Sequence, residues 1–97
     1  MANSNLIFAG GTPGNVTIGT ASTVIIPGNV DNRFIFIRNM STTITAYLSI
    51  GTDAEVNKGI VLLPLESYEF GNTCLPSLSI NGIVTSGTAL ISTFVGR

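Results

Sequence analysis

A chain of 97 residues, 44% apolar and only 9% charged with a net charge of −1, has material for one domain and one core. Its four basic residues, Arg33, Arg38, Lys58 and Arg97, are scattered and form no patch able to neutralise a row of phosphates, which argues against direct nucleic-acid binding. The absence of histidine removes the usual general base and the commonest metal ligand together, so the expectation is a protein that builds or binds, not an enzyme.

The longest apolar runs, such as Ile60 to Leu63, are too short to span a bilayer, and the first residues have neither a basic n-region nor an apolar h-region. No membrane partner is expected. The lone Cys74 cannot make an internal disulfide and has no cationic neighbour in sequence to lower its pKa; it reads as a small buried hydrophobe made in a reducing cytoplasm.

Residues 1–15 contain Gly10-Gly11-Thr12-Pro13-Gly14, which punctuates the chain, and are expected to form an extended N-terminal arm ahead of a domain over 16–97. The β-branched residues Val, Ile and Thr recur throughout, and no segment holds a 3.6-residue period, so the domain is expected to be all-β. Strands are predicted over 16–18 and 23–26, then, after a Pro27-Gly28-Asn29 turn, over 33–38. In this last run Phe34 and Phe36 face one way and Ile35 and Ile37 the other, which predicts a central strand with the aromatics in the core. Over 43–50, Ile44, Ala46, Leu48 and Ile50 alternate with Thr43, Thr45, Tyr47 and Ser49, the pattern of a half-buried strand. A charged loop, 51–59, precedes strands over 60–63 and 67–70. Further strands over 78–81, 83–86 and 89–95 are separated by predicted turns or bulges at Asn81-Gly82 and Ser86-Gly87, with another at Gly71-Asn72. Eight or nine short strands without a helix predict an antiparallel β-sandwich, jelly-roll or Greek-key like.

Candidate chemistry is thin. Glu66 and Glu69, three positions apart on a strand, point to opposite faces and cannot flank one bond. Asp53 and Glu55 have oxygens suited to calcium, but a loop with three charges reads first as an exposed one. Gly82 to Thr88 has the glycine spacing of a phosphate loop with Thr88 where its lysine belongs. The sequons at Asn15 and Asn39 read as turn chemistry. An exposed platform of Phe34, Phe36, Tyr47, Tyr68 and Phe94 for stacking on sugars or bases is the less favoured reading of the aromatics. No catalytic residue, cofactor or metal site is assigned.

Arg33-Phe34-Ile35-Phe36-Ile37-Arg38-Asn39, Tyr47-Leu48-Ser49-Ile50-Gly51, Asn57-Lys58-Gly59-Ile60-Val61-Leu62, Pro64-Leu65-Glu66-Ser67-Tyr68 and the late Ile80 to Ala89 stretch form one pattern. Over residues 30–97 it resembles small β-sandwich virion proteins of tailed bacteriophages, of the head decoration or cement type. The resemblance implies a structural protein at the capsid surface, made in the host cytoplasm, that binds and stabilises the head shell. Its implied partners are the major capsid protein or other virion subunits and further copies of itself, as a trimer. A fibre, collar or tail module for attachment to a receptor or glycan is the alternative. Leu65 stands where the pattern has glycine, so a type II turn is not expected there. On physical grounds the arm is suited to adding a strand to a neighbour's open sheet edge.

Overall fold

The computed structural model describes residues 11–29, 32–70 and 78–96. These contain eight strands: β1 (Gly11–Ile18), β2 (Thr23–Ile26), β3 (Phe34–Asn39), β4 (Ala46–Ile50), β5 (Ile60–Leu62), β6 (Ser67–Phe70), β7 (Ile80–Val84) and β8 (Ala89–Gly96). They form two four-stranded antiparallel sheets, ordered β1-β8-β3-β6 and β2-β7-β4-β5. Strand 1 pairs with 8, 2 with 7, 3 with 6 and 4 with 5, as if one long hairpin had been wrapped into two layers. Wrapping adds the β3–β8 and β4–β7 pairs, and the result is the strand order of an eight-stranded jelly roll.

The core between the layers is built of aliphatic side chains. Ile18, Ile35, Ile37, Leu48, Leu62, Ile80 and Ile91 are fully enclosed, and Phe70 is the aromatic residue that joins them. Each such Ile or Leu contributes about 1.5–3 kcal/mol by leaving water. The predicted alternation over 43–50 holds, since Ala46 and Leu48 are buried while Ile44 and Ile50 pack against the core.

Three expectations are corrected. Phe34 and Phe36 do not enter the core: β3 is central, as predicted, but Ile35, Ile37 and Asn39 face inward and the phenylalanines lie half-buried on the outer face. Asn81-Gly82 is no turn but the middle of β7, where a side chain at position 82 would run into the ends of Ile25, Ile18 and Leu48. The missing Cβ leaves room for Ile25 and Leu48 of the adjacent strands and for Ile18 of the facing layer. Finally, the arm predicted over 1–15 gives way at Gly11, where the chain joins β1 and pairs along the whole of β8; its first ten residues lie outside the described ones, as do Gly71-Asn72 and Cys74.

Among the described residues, Asn39 is the one fully enclosed polar side chain. Its Nδ2 donates to the carbonyls of Ile44 at 2.7 Å and Leu62 at 3.1 Å, and its Oδ1 accepts from Ser41 N–H at 3.0 Å. The side-chain amide therefore ties the end of β3 to β5 in the opposite layer and shapes the β3–β4 connection. Ser41 continues the turn, its Oγ accepting from Thr43 and Ile44 N–H. The sequon at Asn39 is thus turn chemistry, as predicted, whereas Asn15 lies inside β1.

Truncation to Asn39→Ala leaves the buried Leu62 carbonyl and the part-buried Ile44 carbonyl and Ser41 N–H without these partners, and a buried loss of this kind costs about 1–3 kcal/mol. We expect urea denaturation to show a loss of roughly 3 kcal/mol or more. A change below 1 kcal/mol, on the order of a surface substitution, would mean that other groups satisfy these atoms.

Candidate interaction surface

The residues with candidate chemistry are dispersed. Glu66 sits in the turn before β6, where its Oε1 accepts from Leu63 N–H at 2.9 Å, and Glu69 lies on β6 opposite Phe36. In the 51–59 loop, Glu55 pairs with Lys58 at 3.2 Å, both side chains well exposed. Among the described residues no three acidic or cysteine side chains gather as a metal site. This loop is pinned rather than open: Ala54 N–H donates to Ser22 Oγ at 2.8 Å, and Asn81 Nδ2 donates to the Thr52 carbonyl. Gly59 closes it with φ 78°, against the Leu48 carbonyl, where a Cβ would not fit.

The aromatic residues are divided between different faces. Phe34, Phe36 and Phe94 share the outer face of the first sheet, with Pro13, Phe94, Phe36 and Glu69 in one row across four strands. Phe94 lies over Gly11, whose lack of a side chain makes room for the ring. Tyr47 is on the outer face of the other sheet, between Val61 and Ile83. Tyr68 packs edge-on against Phe70, ring centroids 4.9 Å apart. No single platform of five rings exists.

What the structure does bring together is apolar and aliphatic. Met40, Leu63, Leu65 and Leu90 are each between 42% and 52% exposed. Their backbones are neighbours: Met40 N–H donates to the Leu90 carbonyl at 2.9 Å, Leu65 N–H to Ser41 at 3.1 Å, and Glu66 N–H to Leu63 at 2.9 Å. One end of the sandwich thus presents four large aliphatic residues to solvent.

Leu65 is held there at a cost. Its φ is 63°, in the left-handed region that a branched side chain disfavours by roughly 1–2 kcal/mol. With Pro64 before it and the Glu66-to-Leu63 hydrogen bond across it, the turn has the form of type II, with leucine at the position that favours glycine. The sequence reading that leucine would direct another turn type is corrected. The two flanking hydrogen bonds, Leu65 to Ser41 and Asn39 to the Glu66 carbonyl, hold the turn in this form against the preference of the residue. The departure from glycine at position 65 was the signal in the sequence; its meaning needed the backbone angle.

Leu65→Gly should leave stability unchanged or raise it by up to about 1 kcal/mol, since left-handed strain is relieved and glycine's extra chain entropy offsets part of the gain. Thermal unfolding checks this, and a loss above 1 kcal/mol would show that the leucine is a folding contact rather than a displayed one.

No protein-family model matches the chain, and no curated protein is similar to it.

Proposed function

We propose that the protein is a structural subunit of a tailed-bacteriophage virion, a decoration or cement protein that binds the head shell and stabilises it. The observation that carries this reading is the cluster of Met40, Leu63, Leu65 and Leu90, large aliphatic residues displayed at one end of a domain with only nine charges in 97 residues. A free-standing soluble protein normally keeps such residues dispersed and surrounds them with charge. A subunit repeated over a lattice gains from one modest apolar contact made many times, with little charge to desolvate. The jelly roll recurs in virus capsids and also in lectins, so it supports the reading by analogy alone.

A fibre, collar or tail module that attaches to a receptor or glycan is the second reading. The row of Phe94 and Phe36 on the outer face of the first sheet favours it, since half-buried rings on a sheet face suit stacking on a sugar.

Cryo-electron microscopy of particles assembled with the protein separates the two. We expect its density at regular positions on the head, with the end bearing Leu65 against the shell. The variant Leu65→Asp should lower occupancy on purified heads by about tenfold or more, which corresponds to roughly 1.4 kcal/mol of binding. Density confined to tail or fibres would favour the attachment module, and heads without it would remove the decoration reading.

A further inference from the structure

Every open-ended sheet has two edges, and in this molecule they are treated differently. The edge strand β5 has three residues; β6 has four and carries Glu69; β2 has four and is broken by a register shift between Val24 and Ile26. Shortness, charge and bulges are the devices that keep an edge from pairing with another chain. The fourth edge, β1, is eight residues long, uncharged and regular in its pairing with β8 from Gly11 to Ile18.

The hydrogen bonds around β8 fix which way the groups of β1 point. In an antiparallel strand the N–H and C=O of one residue point to the same side, and the side alternates. The carbonyls of Leu90 and Gly96 accept from Met40 and Arg33 on the β3 side. Their partners across the other ladder, Thr17 and Gly11, therefore turn their N–H and C=O away from β8, and by alternation so do Pro13 and Asn15. Pro13, which has no N–H, stands at a position where none is needed for the β8 ladder. The outward row of Gly11, Pro13, Asn15 and Thr17 has no partner among the described residues.

Beside this edge the two layers are incompletely filled. A hollow of about 200 Å³ lies between them, lined by Thr12, Gly14, Ile25, Ile26, Pro27 and Val95. It opens where β1 offers only threonine and glycine on its inner face.

We propose that β1 pairs with β1 of a second copy of this chain across a two-fold axis, joining the β1-bearing sheets of two sandwiches into one continuous sheet. The register that engages all four outward residues sets Gly11 against Thr17 and Pro13 against Asn15, with the axis at Gly14. Asn15 N–H then donates to the Pro13 carbonyl of the second copy, and Gly11 and Thr17 exchange both their hydrogen bonds. Only the donor that proline lacks is missing from each half. On the inner face Gly14 meets Gly14 without a clash, and Val16 of the second copy lies opposite Thr12, at the mouth of the hollow. An edge without charge meets its own copy without repulsion, and a two-fold contact of this kind consumes the exposed edge on both copies. The pairing goes beyond the shell-binding role and does not depend on it, because it is made by the protein alone.

Sedimentation equilibrium on the full chain tests it. The expected result is a dimer, twice the chain mass of 10.1 kDa, in reversible equilibrium with monomer. Asn15→Lys places like charges near the axis, and Thr17→Pro removes an outward donor while sparing the β8 ladder. Each should weaken the dimer by about tenfold or more with an unchanged circular-dichroism spectrum. Ser67→Lys, on the opposite edge, should leave it intact. Should Thr17→Pro disturb folding, Asn15→Lys decides alone, since residue 15 is exposed. A monomer at every concentration, the mass of a trimer, or a dimer indifferent to Asn15→Lys would overturn the proposal.

Discussion

The packing of this jelly roll turns on the amide of Asn39. A sandwich of aliphatic side chains has no preferred lateral alignment between its layers, because dispersion and the hydrophobic effect have little direction. Hydrogen bonds in a water-free interior do have direction, and a misplaced partner is costly there. By donating to carbonyls on the β3–β4 connection and on β5, Asn39 fixes where the second layer sits beneath the first. The aliphatic residues around it, Ile37, Leu62 and Ile91, supply attraction, and the amide supplies alignment. The Leu65 turn follows from the same anchor, since Asn39 N–H holds the Glu66 carbonyl on the far side of that turn.

Much of the fold was legible because a strand's period of two is written directly in its side chains. Ile44, Ala46, Leu48 and Ile50 declared an inner face and were right. The run over 33–39 was ambiguous for a physical reason: with phenylalanine on one side and isoleucine on the other, hydrophobicity cannot say which face turns inward. The fold turns Ile35 and Ile37 inward and leaves the two phenylalanines half-buried on the outer face. The misjudged Gly82 has a similar cause. A glycine after asparagine signals a turn locally, and only the approach of Ile25 from the neighbouring strand and of Ile18 from the facing sheet reveals that the backbone there must be bare.

The candidate surfaces were less legible, because exposure is a property of the assembled fold. Leu63 reads in sequence as the end of a core strand, and it is the turn at Pro64 that leaves it outside. Likewise the 51–59 loop, the most charged part of the chain, is occupied with its own contacts. The edge character of β1 could not be read at all before the strand order was known. Its glycine and proline residues suggested a segment outside the sheet, yet both suit an edge strand whose outward groups do not serve the internal ladder.

The nesting of strand pairs also orders the assembly of the chain in time. The β4–β5 pair is joined by a nine-residue connection, 51–59, whereas the β1–β8 pair sets Gly11 against Gly96 and encloses every other described strand. Closing a larger loop costs more entropy, and topologies dominated by distant pairings fold slowly, in milliseconds to seconds. The inner pairs are thus free to form while the last strand is still being synthesised, and β1 must wait unpaired until β8 has emerged. During that interval the chain exposes both sides of an uncharged strand eight residues long. Wherever many copies are made at once, that hazard is met at β1 first.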